Sequence, residues 1–198
     1  GNNPAIIAAV DAAVEKLTDL GAQVVEIESL EQPEDFWAKS YLVLLAEFKT
    51  TVNEYLLSSP ADLPVANLDE LIGFNRTSKR EMQLFDQSIF EKSAATEGMA
   101  GEDYQQALAL VRSATREQGI DKVLNEYDVD VLVGPSNNPA FLIDAVYGDN
   151  APQGYVGVGY LAAIAGYPHI TVPLTTVKEL PVGLSVIGGQ WQDAQVLN

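Results

Sequence analysis

The side chains of this chain that could carry nucleophilic chemistry are few. There is one histidine, His169, and no cysteine. A thiolate nucleophile, a disulfide scaffold and a thiolate metal site are therefore excluded. A serine triad can be tried from Ser136, His169 and one of Asp128, Asp130 or Asp144. It would need the imidazole within hydrogen-bond reach of the hydroxyl and a carboxylate holding the ring. Ser136 lacks the G-x-S-x-G elbow that lifts a nucleophile onto a strand-to-helix turn. His169 follows Pro168 at a strand start and reads as a half-buried, hydrogen-bonded residue.

Other patterns fare no better. Gly157-Val158-Gly159-Tyr160-Leu161-Ala162 spells G-x-G-x-x-A, but a dinucleotide fingerprint needs an apolar strand directly before it, and Gly148 to Gly154 is a polar loop. Small residues allowing close helix packing explain it better. Glu31, Glu34 and Asp35 suit a solvated helix start more than a carboxylate metal site. The reading therefore calls for no cofactor and no metal. What remains is the loop Gly134 to Phe141, which follows a strand's C-terminal end, a usual place for ligand contacts in α/β sheets. Ser136, Asn137 and Asn138 offer hydrogen-bonding groups there and Phe141 an apolar face, between Pro135 and Pro139. The plain alternative is a polar turn.

The elements that must hold this loop can be read from caps and periodicity. Asn3-Pro4 is an N-cap and first-turn pair and Gly21 a stop, with Ile6, Ile7, Val10, Val14, Leu17 and Leu20 at helical spacing between them. Residues 22–28 read as a strand. Residues 34–127 read as helices: Phe36 to Leu57, Asn67 to Phe74 with Glu70 completing a capping-box-like pair, Glu81 to Thr96, and Glu102 to Tyr127 with a weak point at Gly119. Asp130 to Val133 reads as a strand. An Ala-rich helix closes at Gly166, His169 to Pro173 is a short strand stopped by its proline, and Val182 to Ile187 is a second strand.

Composition sets the outer limits. With 47% hydrophobic and 20% charged residues, the 198-residue chain is globular. Its net charge of −17, from 28 acids and 11 bases, argues against nucleic acid or an anionic membrane as partner. The cluster from Arg76 to Arg80 reads as a solvated loop. No apolar run reaches the roughly 18 residues of a membrane span and no signal peptide opens the sequence. The compartment stays open, with a cytoplasmic leaning. Only six of the 39 charges lie in residues 130–198. A third so poor in charge, with two apolar strands, suggests elements buried on both faces or a large apolar face that another body covers.

The last third also carries a resemblance. AGYPHITVP (165–173) followed by LPVGLSVIGG (180–189) resembles the C-terminal end of amidase signature enzymes. PAIIAAVDAAVEKLTDLGAQVVEIE (4–28) is similar to the helix and strand after that family's catalytic core. NEYLLSSPADLPVANLDELIGFNR (53–76) resembles its helical insert, particularly in peptide-amidase-like members, and YDVDVLVGPSNNPAFLID (127–144) resembles its D-x-L-x-x-P-T strand and loop. Ser136 stands where threonine is usual, and Thr175 where glycine is common.

The resemblance implies an α/β fold: a mixed β-sheet fragment with surrounding helices, the amidase signature fold without its N-terminal catalytic half. The chain would be one part of an amidase domain, with a helix–strand unit (1–33), a helical lobe (34–127) and a strand–loop–helix–strand–strand region (128–198). It implies hydrolysis of carboxamide C–N bonds by a Ser–cis-Ser–Lys triad. No Gly/Ser-rich run with paired serines occurs here, and Ser58-Ser59 ends a helix before Pro60. The implied partners are a small amide or short peptide amide substrate, contacted by Ser136, Asn137, Asn138 and Phe141, and the catalytic half itself, with a homodimer as a further way to cover an apolar face. A stand-alone, non-enzymatic binding or assembly module of the same architecture is the other reading.

Overall fold

Asn3 and Pro4 begin the first helix as the sequence predicts. In the computed structural model, which describes residues 3–27, 29–83, 85–151 and 157–198, the Asn3 side chain accepts from the Ala5 and Ile6 N–H groups at the head of α1 (Pro4–Asp19). The chain divides into two compact units, one of Pro33–Val111 and one joining Gly1–Gln32 to Arg112–Asn198.

The first of these units is helical. It holds α2 (Phe36–Ser58), α3 (Leu68–Thr77), α4 (Ser88–Ala94), a short 3-10 turn (Gly98–Ala100) and the start of α5 (Glu102–Thr115). Asn67 caps α3 by accepting from Glu70 N–H, while Glu70 accepts from Ala66 N–H and Asn67 Nδ2, a variant of the capping box in which the N–H received is that of the residue before the cap. Phe48 of α2 stacks on Phe90 of α4. Lys49 places its ammonium on the carbonyls of Ala94 and Thr96, a cation at a helix C-terminus. Arg76 pairs with Glu91 at 2.9 Å on the surface, so the basic cluster is solvated as read, and the pair adds little stability. The helix expected from Glu81 is shorter: it starts at Ser88. Residues 79–83 form turns, and Asp86 accepts from Ser88 N–H in a local side-chain bond that competes with helix formation.

The second unit contains α1, α6 (Asp121–Tyr127), β1 (Leu132–Pro135), α7 (Gly159–Ala165), β2 (His169–Val177), β3 (Leu180–Ile187) and α8 (Asp193–Leu197). The strands form an antiparallel sheet in the order β1-β3-β2, with Leu132 and His169 both opposite Ile187, and Gly134 and Thr171 both opposite Ser185. Pro173 does not stop β2. That strand lies at the sheet edge and takes a bulge between Pro173 and Thr175, the setting in which proline is tolerated. Lys178 and Glu179, at φ 48° and 69°, make the two-residue turn into β3. Residues 22–27 are not a strand, because they have no ladder partner among the described residues. Ile27 and Leu30 pack instead on the core of Ile120, Val123, Leu132, Leu161, Ala162, Ala165, Tyr167 and Ile187. Burial on both faces of the strands is also incomplete: Val133 and Val172 are exposed.

Between α5 and α6 the helix widens into a π-turn, Arg116–Ile120, closed by Asp121 N–H on Arg116 O. The weak point expected at Gly119 falls inside it. Residues five apart sit roughly 140° around an α-helix. The wider turn brings Arg116 and Asp121 to the same neighbour. Arg116 Nε donates to Ala165 O at 2.7 Å, its guanidinium lies 5.8 Å from the Tyr167 ring centre, and Tyr167 Oη donates to Asp121 Oδ2 at 2.8 Å. The π-turn thereby clamps the corner where α7 ends at Gly166, in the left-handed region at φ 69°.

Burial, then the bond to Asp121, pushes the Tyr167 phenol up to about 12. The folded value lies above that of an unfolded tyrosine, about 10. Ionisation of the phenol is therefore disfavoured in the folded state, so the stability present below pH ~10 is lost progressively as pH rises toward ~12. Chemical unfolding of the wild type should weaken across that window more steeply than that of Tyr167→Phe. Parallel curves for the two proteins would remove Tyr167 as the cause.

Candidate functional site

The loop singled out in the sequence leaves the sheet at a fixed point. Ser136 N–H donates to Gly183 O at 2.8 Å, continuing the β1–β3 ladder by one residue, and Val158 N–H donates to Pro135 O at 3.1 Å. The excursion from Ser136 to Gly157 is thus pinned at both ends to the close of β1. Within it Asn137 Oδ1 accepts from Asn138 N–H. Asp144 accepts from Tyr147 and Val146 N–H, which hold its carboxyl below the ordinary carboxylate range. Phe141 is 46% exposed, and Leu142, Ile143, Val146 and Tyr147 are all more exposed still.

Ser136 does not stand alone. Side chains on a strand alternate between faces, so Ser185 on β3, Thr171 on β2 and His169 two residues before it share one face. Ser136, just past β1, joins them. His169 Nε2 lies 2.7 Å from Ser185 Oγ, Ser185 Oγ 2.9 Å from Ser136 Oγ, Ser136 Oγ 3.3 Å from Thr171 Oγ1, and Thr171 Oγ1 3.4 Å from His169 Nε2. Ser185 is fully buried while His169 is exposed. Two glycines make the room. A Cβ on Gly183 would fall 2.4 Å from Thr171 Cγ2 and 2.9 Å from Ser136 Oγ, and one on Gly159 3.2 Å from His169 Cε1.

The structure therefore joins Ser136 to His169 through Ser185, and none of the three candidate carboxylates completes a triad. Asp130 accepts from Gln195 Nε2, Asp144 caps its own turn, and Asp128 is the left-handed residue ending α6. Gly159 serves close packing against His169, while residues 152–156 lie outside the described residues. Sequence reading missed Ser185 and Thr171. Alternation along β2 and β3 would have placed each on a face, but only the strand order puts that face beside Ser136.

Of the four loop candidates, Asn137 is brought beside Asn138, and Ser136 and Phe141 have separate surroundings. An open polar groove of about 470 Å³ lies at the other end of β1, lined by Asp121, Asp128, Asp130, Gln190 and Gln192 among others, and none of the four lines it. Among the described residues no group of three potential ligands could hold a metal ion, and no helix is long and apolar enough to cross a membrane.

The Amidase family model matches residues 1–197, and the chain belongs to that family. The native peptide amidase of Stenotrophomonas maltophilia superposes with a TM-score of 0.83 at 31% identity, over 96% of this chain and 37% of its own. A structure of peptide amidase PAM with the competitive inhibitor chymostatin gives a TM-score of 0.83 at 33% identity, over 96% and 38%. A glutamyl-tRNA(Gln) amidotransferase subunit of Pseudomonas entomophila is 28% identical over all of this chain and 41% of its own length. The fold is therefore that of the amidase signature enzymes, and the chain spans less than half the length of these relatives.

Proposed function

We propose that this chain is the C-terminal part of an amidase that hydrolyses carboxamide C–N bonds, and that its Ser–cis-Ser–Lys triad lies outside these 198 residues. The match to peptide amidase over 96% of this chain but 38% of that one carries the reading. In this reading residues 1–33 and 128–198 supply sheet and flanking helices, residues 34–127 supply helical cover, and the substrate is a small amide or short peptide amide. Lys49 is committed to the carbonyls of Ala94 and Thr96 and so offers no base for a serine nucleophile.

Ser136, Asn137, Asn138 and Phe141 would line the acyl or leaving-group side of the pocket. Pinning at Ser136 and the prolines at 135 and 139 restrict the loop, and a stiff loop loses less entropy when it holds a polar group to a ligand. In the complete enzyme Asn137→Ala or Asn138→Ala should lower kcat/KM by roughly 2–12-fold, the worth of one hydrogen bond, with an unchanged melting temperature. Unaltered kinetics in both, beside a several-fold loss in Phe141→Ala, would reduce the loop to an apolar wall.

A further inference from the structure

We propose that His169, acting through the buried Ser185, sets the hydrogen-bonding polarity of the Ser136 hydroxyl and makes it a donor to a substrate carbonyl oxygen. His169 and Ser185 are then positioning residues, and the proposal rests on the reading of the loop as pocket wall.

Proton counting carries the argument. Each hydroxyl has one proton to give and lone pairs to receive. Ser185 is fully buried, and among the described residues its hydroxyl has two partner atoms, His169 Nε2 at 2.7 Å and Ser136 Oγ at 2.9 Å. It must therefore give its proton to one and receive from the other. With a proton on Nε2, His169 donates to Ser185, Ser185 donates to Ser136, and Ser136 keeps its own proton to give onward. With Nε2 bare, Ser185 turns to the ring, Ser136 fills the place behind it, and only lone pairs of Ser136 face outward. One ring nitrogen thus decides whether Ser136 offers a proton or accepts one.

The far end of the chain is the weak one. Ser136 Oγ to Thr171 Oγ1 is 3.3 Å, long for a bond between hydroxyls, which favour about 2.7–2.8 Å, and Thr171 Oγ1 lies 3.4 Å from His169 Nε2, so Thr171 is the weaker partner of the ring beside Ser185 at 2.7 Å. A ligand oxygen can replace Thr171 there at small cost. The two inner links are short, so the direction set at His169 reaches Ser136 intact. The Nε2–H arrangement leaves a donor facing the ligand, and the carbonyl oxygen of an amide is the complementary acceptor.

Two measurements test this. The chain has one histidine, so its ring can be read selectively by ¹H–¹⁵N NMR with the ring neutral. The expected result is an observable Nε2–H proton, shielded from exchange by Ser185, which disappears in Ser185→Ala. Absence of that proton in the wild type, or its persistence in Ser185→Ala, overturns the relay. In the complete enzyme Ser136→Ala and His169→Leu should each raise KM about 10-fold for a short peptide amide, with kcat little changed, as for a donor that binds ground and transition states alike. His169→Gln, whose amide can donate to Ser185, should recover most of the loss. Unchanged kinetics in His169→Leu beside an impaired Ser136→Ala overturns this proposal alone. Unchanged kinetics in Ser136→Ala overturns this proposal, and together with unchanged kinetics in Asn137→Ala, Asn138→Ala and Phe141→Ala it overturns the assignment of the loop to the pocket as well.

Discussion

The 198-residue chain on its own is expected to hydrolyse simple amides no faster than the uncatalysed background. Enzymes of this kind accelerate the reaction by at least ~10⁶-fold, and nearly all of it requires a nucleophile with its base and donors for the oxyanion. The best nucleophiles this chain offers fail on geometry. Ser185 is bonded to His169 but fully buried, so no substrate can reach it. Ser136 is more accessible but makes no direct bond to the imidazole, reaching it through Ser185 or through the longer contacts of Thr171, and no described carboxylate bonds the ring. Ammonia release from a set of C-terminal peptide amides, measured on chain verified as folded by circular dichroism, checks this. Turnover that survives Ser136→Ala and Ser185→Ala would reveal a catalytic group elsewhere. Turnover abolished by Ser136→Ala would restore the serine–histidine site that the geometry argues against.

The same experiment separates the amidase part from a stand-alone module. Adding the catalytic half from the same enzyme should restore turnover if the chain is an amidase's C-terminal part, whereas a binding module would stay silent. Between residues 130 and 189 the apolar side chains of Val133, Val172, Leu142, Ile143 and Tyr147, among others, are exposed, and binding of such a half should protect some of them from solvent.

How legible all this was in the sequence depended on how local each determinant is. Asn3-Pro4, the Asn67–Glu70 box and Gly166 state their roles within four residues, because a cap is satisfied by its own turn. The hairpin of β2 and β3 was half legible. Its apolar runs were plain, but Pro173 reads as a stop unless the strand is known to lie at an edge. Residues 22–27 alternate like a strand and are none, since a strand exists only where a neighbour supplies its ladder. At Gly119 the sequence showed a weak point and not its outcome: a π-turn that aligns Arg116 and Asp121 on Tyr167 depends on the α7–β2 corner, about fifty residues away. The site divides in the same way. Ser136 was visible from the turn chemistry around it. Its partners Ser185 and Thr171 became visible only when β3 was found between β1 and β2.

Gly183 is where fold and site meet, and Gly183→Ala should be costly for that reason. Alanine ordinarily gains about 0.5–1 kcal/mol over glycine in regular structure through lower backbone entropy in the unfolded chain. At position 183 the new methyl would lie 2.4 Å from Thr171 Cγ2 and 2.9 Å from Ser136 Oγ. Thr171 is β-branched and has few alternative rotamers. Relief must come from turning it out of the cluster or prising β2 from β3. Overpacking of this kind costs ~1–3 kcal/mol, and losing the Ser136–Thr171 contact adds up to ~1 kcal/mol. The net expectation is a loss of about 2 kcal/mol in urea unfolding, together with a changed His169 ring spectrum. Gly73→Ala is the control. Gly73 lies in α3 with nothing within 4 Å of its added methyl, so that substitution should stabilise by ~0.5–1 kcal/mol and leave the ring spectrum alone. If Gly183→Ala instead matched its control in both readouts, neither the close approach of Thr171 and Ser136 over β3 nor the hydroxyl cluster built on it could stand.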